Sequence, residues 1–140
     1  MISPDDEKQI IDAIALAEKN TSGEIRVHVE SKCKGDSIAR VKVLFKKLNM
    51  YETKERNAVL IYVALKDHKL AIWGDEGIHQ KLPDNFWNQE TELMISHFSQ
   101  NKIGEGLAQA IHLIGEQLKQ HFPYQSNDTN ELSDELSLGE

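Results

Sequence analysis

Residues 57–79 of the chain, NAVLIYVALKDHKLAIWGDEGIH, carry the pattern from which the fold is predicted. Residues 58–65 form a continuous apolar run rich in valine and isoleucine. Such a run is typical of a strand buried on both faces, although its periodicity also allows a buried helix. A polar turn at residues 66–68 precedes a second apolar run at residues 70–73, which favours a strand that returns beside the first. The pattern therefore predicts an antiparallel pair of strands at the centre of the domain.

The acidic segment after the second strand predicts a tight loop. Gly74 and Gly77 flank Asp75 and Glu76. Because glycine adopts positive φ without steric cost, we expect both glycines to be free to take that conformation and to close the loop.

Helices and one more strand are predicted on either side of this pair. Apolar spacing and capping residues predict helices over about residues 3–20, 36–48, 83–98 and 105–121. Apolar and polar residues alternate at residues 24–31, which predicts a half-buried strand with Arg26, His28 and Glu30 on its polar face. This order implies an α/β sandwich: a small mixed sheet, with a parallel crossover and an antiparallel hairpin, and helices on both faces.

Charge divides the chain into a balanced domain and an acidic end. The 140 residues include 16 basic and 23 acidic side chains, a net charge of −7. This charge argues against nucleic acid or an anionic membrane as the main partner. Residues 125–140 hold five acidic residues and no basic ones. We therefore expect a single domain at residues 1–124 and a disordered acidic tail at residues 125–140.

Other features of the composition bear on location and assembly. No apolar run approaches the ~18 residues of a membrane span, and the amino terminus lacks a signal-peptide pattern. The single cysteine, Cys33, excludes an internal disulfide and fits a reducing compartment. The last helix is expected to pack on the sheet rather than to form a dimer seam. We expect a cytoplasmic monomer that is not inserted into a membrane.

The predicted topology gathers four distant residues at one edge of the sheet. Glu24 starts the first strand, Asn57 precedes the second and Asp75 follows the third, while Glu18 ends the adjoining helix. Carboxylate and amide oxygens are hard ligands suited to calcium or magnesium, so we hypothesise a divalent-cation site. The alternative is structural, with Asp75 in an Asx turn, Asn57 capping a loop and Glu24 solvated.

The opposite edge is a second candidate site. It carries Cys33 between Lys32 and Lys34, with His68 in the neighbouring turn. Open α/β sheets bind ligands at the carboxyl ends of parallel strands, which favours this edge. The segment matches no phosphate-binding loop. No base for a Cys33 nucleophile is identifiable, so a bystander thiol is the alternative.

Three sequence blocks together resemble the TPM domain family, which includes thylakoid-lumen photosystem II repair proteins and many uncharacterised bacterial proteins. The blocks are TSGEIRV at residues 21–27, RNAVLI at residues 56–61 and IWGDEGI at residues 72–78. The resemblance implies an α/β sandwich, an acidic loop associated with divalent cations, chiefly calcium, and the acid phosphatase activity reported for plant members. Asn57 and Asp75 match the family pattern, Glu24 follows its Thr-Gly-like break, and Glu18 matches less closely.

Three functions are open at this point. The first is a non-catalytic accessory or interaction module of a larger, membrane-associated complex, with an exposed patch formed by Trp73, Phe86 and Trp87. The alternative for Trp73 and Trp87, which we favour, is that they are ordinary core residues. The second is a metal-dependent acid phosphatase that uses a calcium or magnesium ion at the predicted cation site, with Arg56 as the phosphate-binding group. The third is a small-ligand module at the edge that carries Cys33.

Overall fold

The computed structural model describes residues 2–82, 87–124 and 137–139. Its elements in chain order are α1 (Pro4–Glu18), β1 (Glu24–Glu30), α2 (Ser37–Lys47), β2 (Ala58–Ala64), β3 (Lys69–Gly74), α3 (Glu76–His79), α4 (Asn88–Phe98), α5 (Ile103–His121) and β4 (Ser137–Leu138). No helix within these described ranges is both long and apolar enough to cross a membrane.

The strands form one mixed sheet in the order β3-β2-β1-β4. β1 and β2 are parallel, with Glu24 opposite Ala58, and β2 and β3 are antiparallel, with Val59 opposite Gly74. Both arrangements confirm the predicted α/β class, because a helix joins the parallel pair and a short turn joins the antiparallel pair.

Each face of the sheet is covered by helices, as the sequence predicted. Alternate residues of a strand point to opposite faces. On one face Val27, Ile61 and Ile72 belong to a core cluster with residues of α1, α4 and α5. On the other face Leu60 and Tyr62 belong to a second cluster with residues of α2.

The acidic loop after β3 differs from its prediction. It contains a one-turn helix, α3, capped by the side chain of Asp75. Among the described glycines only Gly35 takes positive φ, so the expectation for Gly74 and Gly77 was wrong. Gly77 is needed for space instead, because a Cβ there would lie 2.2 Å from the carbonyl oxygen of Glu55.

The carboxyl-terminal part of the chain contributes a strand that was not predicted. Ser137 and Leu138 pair in parallel with His28 and Val29 at the outer edge of β1. We call residues Ser137–Gly139 the β4 segment. The predicted disorder of residues 125–136 and 140 and the predicted helix start at residues 83–84 lie outside the described residues, so they stay predictions.

Candidate functional site

The structure brings the backbone at the four predicted cation ligands to one edge of the sheet. We call these residues, Glu18, Glu24, Asn57 and Asp75, the amino-end cluster. Glu24 pairs with Ala58, the residue after Asn57. The N–H of Asp75 donates to the carbonyl oxygen of Ala58 at 2.9 Å. Glu24, Asn57 and Asp75 are buried, so their polar groups depend on partners within the protein.

Asp75 is held by Arg56 through both carboxylate oxygens. Arg56 Nε donates to Asp75 Oδ2 at 2.6 Å, and Arg56 Nη2 donates to Oδ1 at 2.9 Å. The N–H of Glu76 donates to the same Oδ1 at 2.8 Å and begins α3. The hydrogen bond with Asp75 raises the pKa of Arg56 above its usual value. Asp75 therefore joins the loop before β2 to the loop after β3.

Two more residues of the amino-end cluster are engaged in local hydrogen bonds. Asn57 Nδ2 donates to Ser22 Oγ at 3.2 Å and to Glu55 Oε2 at 3.3 Å. Glu18 Oε2 accepts from the N–H of Ile25 at 2.8 Å, at the start of β1. These contacts fix the loops that surround the strand starts.

In this arrangement the amino-end cluster does not fit calcium or magnesium. Such ions are held by several oxygens that converge on one point. The oxygens of Asp75 face Arg56, and Oε2 of Glu18 faces the backbone. Across the described part of the chain, no three histidine, cysteine, aspartate or glutamate side chains form a group that could hold a metal ion. The cation site stays a prediction.

The opposite edge is also tied by hydrogen bonds. Cys33 is buried, and its N–H donates to Asp67 Oδ2 at 2.8 Å. The ammonium group of Lys69 donates to the carbonyl oxygens of Cys33 at 3.0 Å and Gly35 at 2.6 Å. An open groove of about 510 Å³ lies beside this edge, lined among others by Leu65, His68, Leu70, Ile95 and Phe98. A small-ligand role for the edge stays a prediction.

Two of the three residues of the predicted aromatic patch are described, and both are partly exposed, so the patch stays a prediction. The ammonium group of Lys42 lies 4.6 Å from the centre of the Trp73 ring, and the ring of His79 lies 4.8 Å from it. Trp87 packs partly buried against the core. Phe86 lies outside the described residues.

A buried polar network on β1 was not predicted. His28 and Glu30 are only 6% and 7% exposed. Arg40 of α2 donates from Nε to Glu30 Oε2 at 3.0 Å and from Nη2 to Oε1 at 2.9 Å. The hydroxyl of Tyr62 donates to Oε2, and His28 Nε2 lies 3.3 Å from Oε1. We call His28, Glu30, Arg40 and Tyr62 the β1 network.

The contacts of the β1 network set its protonation. Burial opposes ionisation of Glu30, but hydrogen bonds from Arg40, Tyr62 and His28 outweigh it and lower the pKa of Glu30 to about 2. Burial lowers the pKa of His28, and Glu30 offsets part of that effect. Burial and then the hydrogen bond to Glu30 raise the pKa of Tyr62. At neutral pH the network therefore holds an ionised Glu30 beside a neutral imidazole and a neutral phenol.

The β4 segment rests on this network. Ser137 Oγ and His28 Nδ1 form a hydrogen bond of 2.8 Å, and the N–H of Gly139 donates to the carbonyl oxygen of Val29 at 2.7 Å. A Cβ at Gly139 would lie 2.8 Å from Glu30 Oε1 and 2.9 Å from His28 Nε2. The segment therefore fits the edge by shape as well as by hydrogen bonding.

One signal in the sequence points to the β1 network. Tyr62 is the only residue with a polar group on its side chain in the apolar run of residues 58–65, and a buried tyrosine hydroxyl needs a partner. Its acceptor, Glu30, lies 32 residues away. Sequence spacing does not pair the two residues, because the parallel register of β1 and β2 brings them together.

Comparison with known proteins identifies the family. A family model named TPM phosphatase and described as the TPM domain matches residues 1–117. The chain belongs to the TPM domain family. This TPM domain is also similar to the NMR structure of the BA42 protein from the psychrophilic bacterium Bizionia argentinensis. The two chains are 40% identical with a TM-score of 0.92, over 99% of this chain and 96% of that chain. No curated protein matches the chain. The resemblance drawn from the three sequence blocks is confirmed.

Proposed function

We propose that this TPM domain is a non-catalytic interaction module that binds an extended segment of another protein along the outer edge of β1. The observation that supports the proposal is the pairing of this edge with the β4 segment, His28 with Ser137 and Val29 with Leu138. The edge of a sheet presents main-chain donors and acceptors, and added strands bind through them.

The role is that of an accessory domain. A strand added at β1 contributes main-chain hydrogen bonds for affinity, while side chains at alternate positions supply specificity. The domain would hold a partner chain within a larger complex without altering it chemically. The family resemblance leads us to expect that complex at a membrane.

Phosphoester hydrolysis with a metal ion at the amino-end cluster is the competing hypothesis. The name of the family model favours it. However, Asp75 would have to release Arg56, which occupies both of its carboxylate oxygens. At the β1 edge a partner strand has to displace only the β4 segment, which is held by two residue pairs, and this smaller rearrangement favours the interaction module.

The test selects peptide ligands on the whole protein. Random peptides displayed in a library are selected on immobilised full-length protein, and the selected peptides are titrated into isotopically labelled protein. We expect amide signals of residues 27–30 to shift most. Ligands that map to other surfaces, or a selection without specific ligands, would contradict the proposal.

Turnover is measured in parallel. The protein is incubated with a generic phosphoester and calcium or magnesium, and phosphate release is followed for the wild type and Asp75→Ala. We expect no turnover in either protein. Hydrolysis by the wild type that is lost in the variant would support the phosphatase hypothesis and reject a non-catalytic role.

A further inference from the structure

We propose that the outer edge of β1 recognises the pattern Ser-x-Gly in an extended segment parallel to the strand, and that the chain's own Ser137–Gly139 is a competitor built into the same site. This inference rests on the proposed function, because it states which segments the edge binds. The partner is an extended protein segment that places a serine hydroxyl on His28 and a glycine over Glu30.

His28 reads the serine position. Its Nε2 faces Glu30 Oε1 at 3.3 Å, so the carboxylate keeps the proton on Nε2 and leaves Nδ1 as an acceptor. The hydroxyl of Ser137 donates to that Nδ1 at 2.8 Å. The imidazole is held in place by stacking on Tyr62, with ring planes 9° apart. A residue without a hydroxyl would leave this buried acceptor unsatisfied.

Glu30 selects glycine at position 139 because it leaves no space for a side chain there. A Cβ at position 139 would lie 2.8 Å from Glu30 Oε1, 2.9 Å from Glu30 Cβ and 2.9 Å from His28 Nε2. All three distances are too short for a real carbon atom. Glu30 cannot swing aside, because Arg40 and Tyr62 hold both of its carboxylate oxygens. The site therefore accepts only glycine two residues after the serine.

The position between serine and glycine is not selected. Leu138 is 56% exposed, because its side chain points away from the contacts that hold its neighbours. The pattern is therefore Ser-x-Gly rather than Ser-Leu-Gly, and Leu138 offers a control position within the same segment.

The sequence around the β4 segment is consistent with a register set by glycine. The triplet Glu-Leu-Ser occurs at residues 131–133 and again at residues 135–137. Two residues after the serine, the first copy has Glu135 and the second has Gly139. Only the second copy satisfies the pattern, and its serine is the one that pairs with His28.

The contact made by the chain's own segment is small enough to be displaced. It comprises two residue pairs with β1, and each hydrogen bond in such a contact contributes only about 1 kcal/mol. The covalent tether compensates by keeping the segment at a high local concentration. A partner must therefore compete with it, and weakening the tethered copy increases the apparent affinity for the partner.

The experiment titrates the peptide Glu-Leu-Ser-Asp-Glu-Leu-Ser-Leu-Gly-Glu, residues 131–140, into isotopically labelled full-length protein. Amide signals of residues 28–30 report binding. Gly139→Ala, which expels the tethered segment, is compared with the wild type and with the matched control Leu138→Ala. We expect the apparent Kd to be at least about tenfold lower for Gly139→Ala than for the other two proteins.

Variant peptides test each position of the pattern. A peptide carrying Gly139→Ala should bind none of the three proteins. A peptide carrying Ser137→Ala should bind roughly fivefold more weakly, as the loss of one hydrogen bond predicts. Ser137→Ala in the protein removes the bond to His28 without adding atoms, so it is a second way to open the site if Gly139→Ala impairs folding.

The outcomes separate this inference from the proposed function. Equal binding of the native and Gly139→Ala peptides would overturn the Ser-x-Gly pattern. The inference would also be overturned if the amide signals of residues 28–30 in the Gly139→Ala and Ser137→Ala proteins were the same as those in the wild type. Library peptides that bind β1 without Ser-x-Gly would overturn the pattern and leave the interaction module in place. A library without any ligand at β1 would reject both.

Discussion

Two arginine–carboxylate pairs lie at opposite ends of the same sheet. Arg56 with Asp75 and Arg40 with Glu30 are both bidentate. The two arginine side chains are 39% and 35% exposed, and both carboxylates are buried. The pairs differ in what else touches the carboxylate. Asp75 accepts from the next residue in the chain and caps α3, whereas Glu30 also accepts from Tyr62 and meets the β4 segment.

An arginine–carboxylate pair can hold the fold together, as Arg56 with Asp75 does, or it can form part of a binding surface, as Arg40 with Glu30 does. The partners of Asp75 come from loops that it connects, so the pair closes the domain on itself. Glu30 is fixed just as firmly, but a segment more than a hundred residues away in the chain rests on it. A fixed carboxylate with a removable neighbour can select what binds there. Four predictions test this difference.

The largest effect is expected from Glu30→Ala. The substitution leaves Arg40 and Tyr62 without their acceptor, and breaking a buried pair costs about 3 to 5 kcal/mol. Because Arg40 is partly hydrated, we expect the low end, about 3 kcal/mol off the free energy of unfolding. Urea unfolding measures it. A loss below about 1 kcal/mol, the usual value for an exposed pair, would show that the β1 network is not a rigid platform.

Asp75→Ala should cost less. It removes the cap of α3, worth about 1 kcal/mol, and a pair with a partly exposed arginine, worth up to about 1 kcal/mol. The matched control is Glu76→Ala, which removes only an exposed contact to Arg56. Its effect should be within about 0.5 kcal/mol of zero. If Asp75→Ala destabilises as much as Glu30→Ala in urea unfolding, the two pairs are equivalent and the distinction fails.

Arg56→Ala tests whether the amino-end cluster can take a cation. The substitution frees both oxygens of Asp75, so we expect calcium to bind at least about tenfold more tightly than in the wild type, a difference of about 1.4 kcal/mol. A backbone NMR titration with calcium and then magnesium measures it, and Asp75→Ala should abolish the response. No localised change in Arg56→Ala at millimolar metal would remove the cation site.

The smallest effect is a dependence of stability on pH that comes from His28. Its folded pKa lies below the ordinary value of 6.5, so the unfolded chain binds a proton first as the pH falls. The contribution is fully present above pH 6.5 and is lost as the pH falls through the folded pKa. The slope should not exceed about 1.4 kcal/mol per pH unit. Glu30, with a folded pKa of about 2, adds a second loss below pH 4.5.

His28→Gln provides the control for this prediction. Glu30, Arg40 and Arg26 all affect the charge of His28, and they remain in the variant. The difference in unfolding free energy between wild type and variant should shrink as the pH falls from about 7 to about 5. A difference that stays constant or grows would contradict the lowered pKa.

The sheet could be predicted from sequence because its signals are local. The apolar run of residues 58–65 became β2, Ala58–Ala64, and the alternating residues 24–31 became β1, Glu24–Glu30. Burial on both faces produces a continuous run, and one apolar face produces alternation. Parallel and antiparallel pairing then followed from the lengths of the connections.

The direction of side chains could not be predicted in the same way. The convergence of Asn57 and Asp75 follows from topology, but the pairing of Asp75 with Arg56 depends on the backbone of Arg56, whose φ is 52°. The alternation in β1 predicted a half-buried strand with an exposed polar face, which was wrong for His28 and Glu30. Both are buried, and Arg40 and Tyr62 reach Glu30 from other elements. Such contacts between distant residues leave no periodicity in the sequence.

The outer edge of β1 is synthesised well before the β4 segment that covers it. Ser137 lies 109 residues after His28, so at about 5–20 residues per second it is made about 5–20 s later. During that interval β2 can already pair with the inner edge of β1. The outer edge is not yet covered by the β4 segment. An open edge also invites association with other nascent chains. A partner that carries Ser-x-Gly therefore has its freest access to the domain while the chain is still being made.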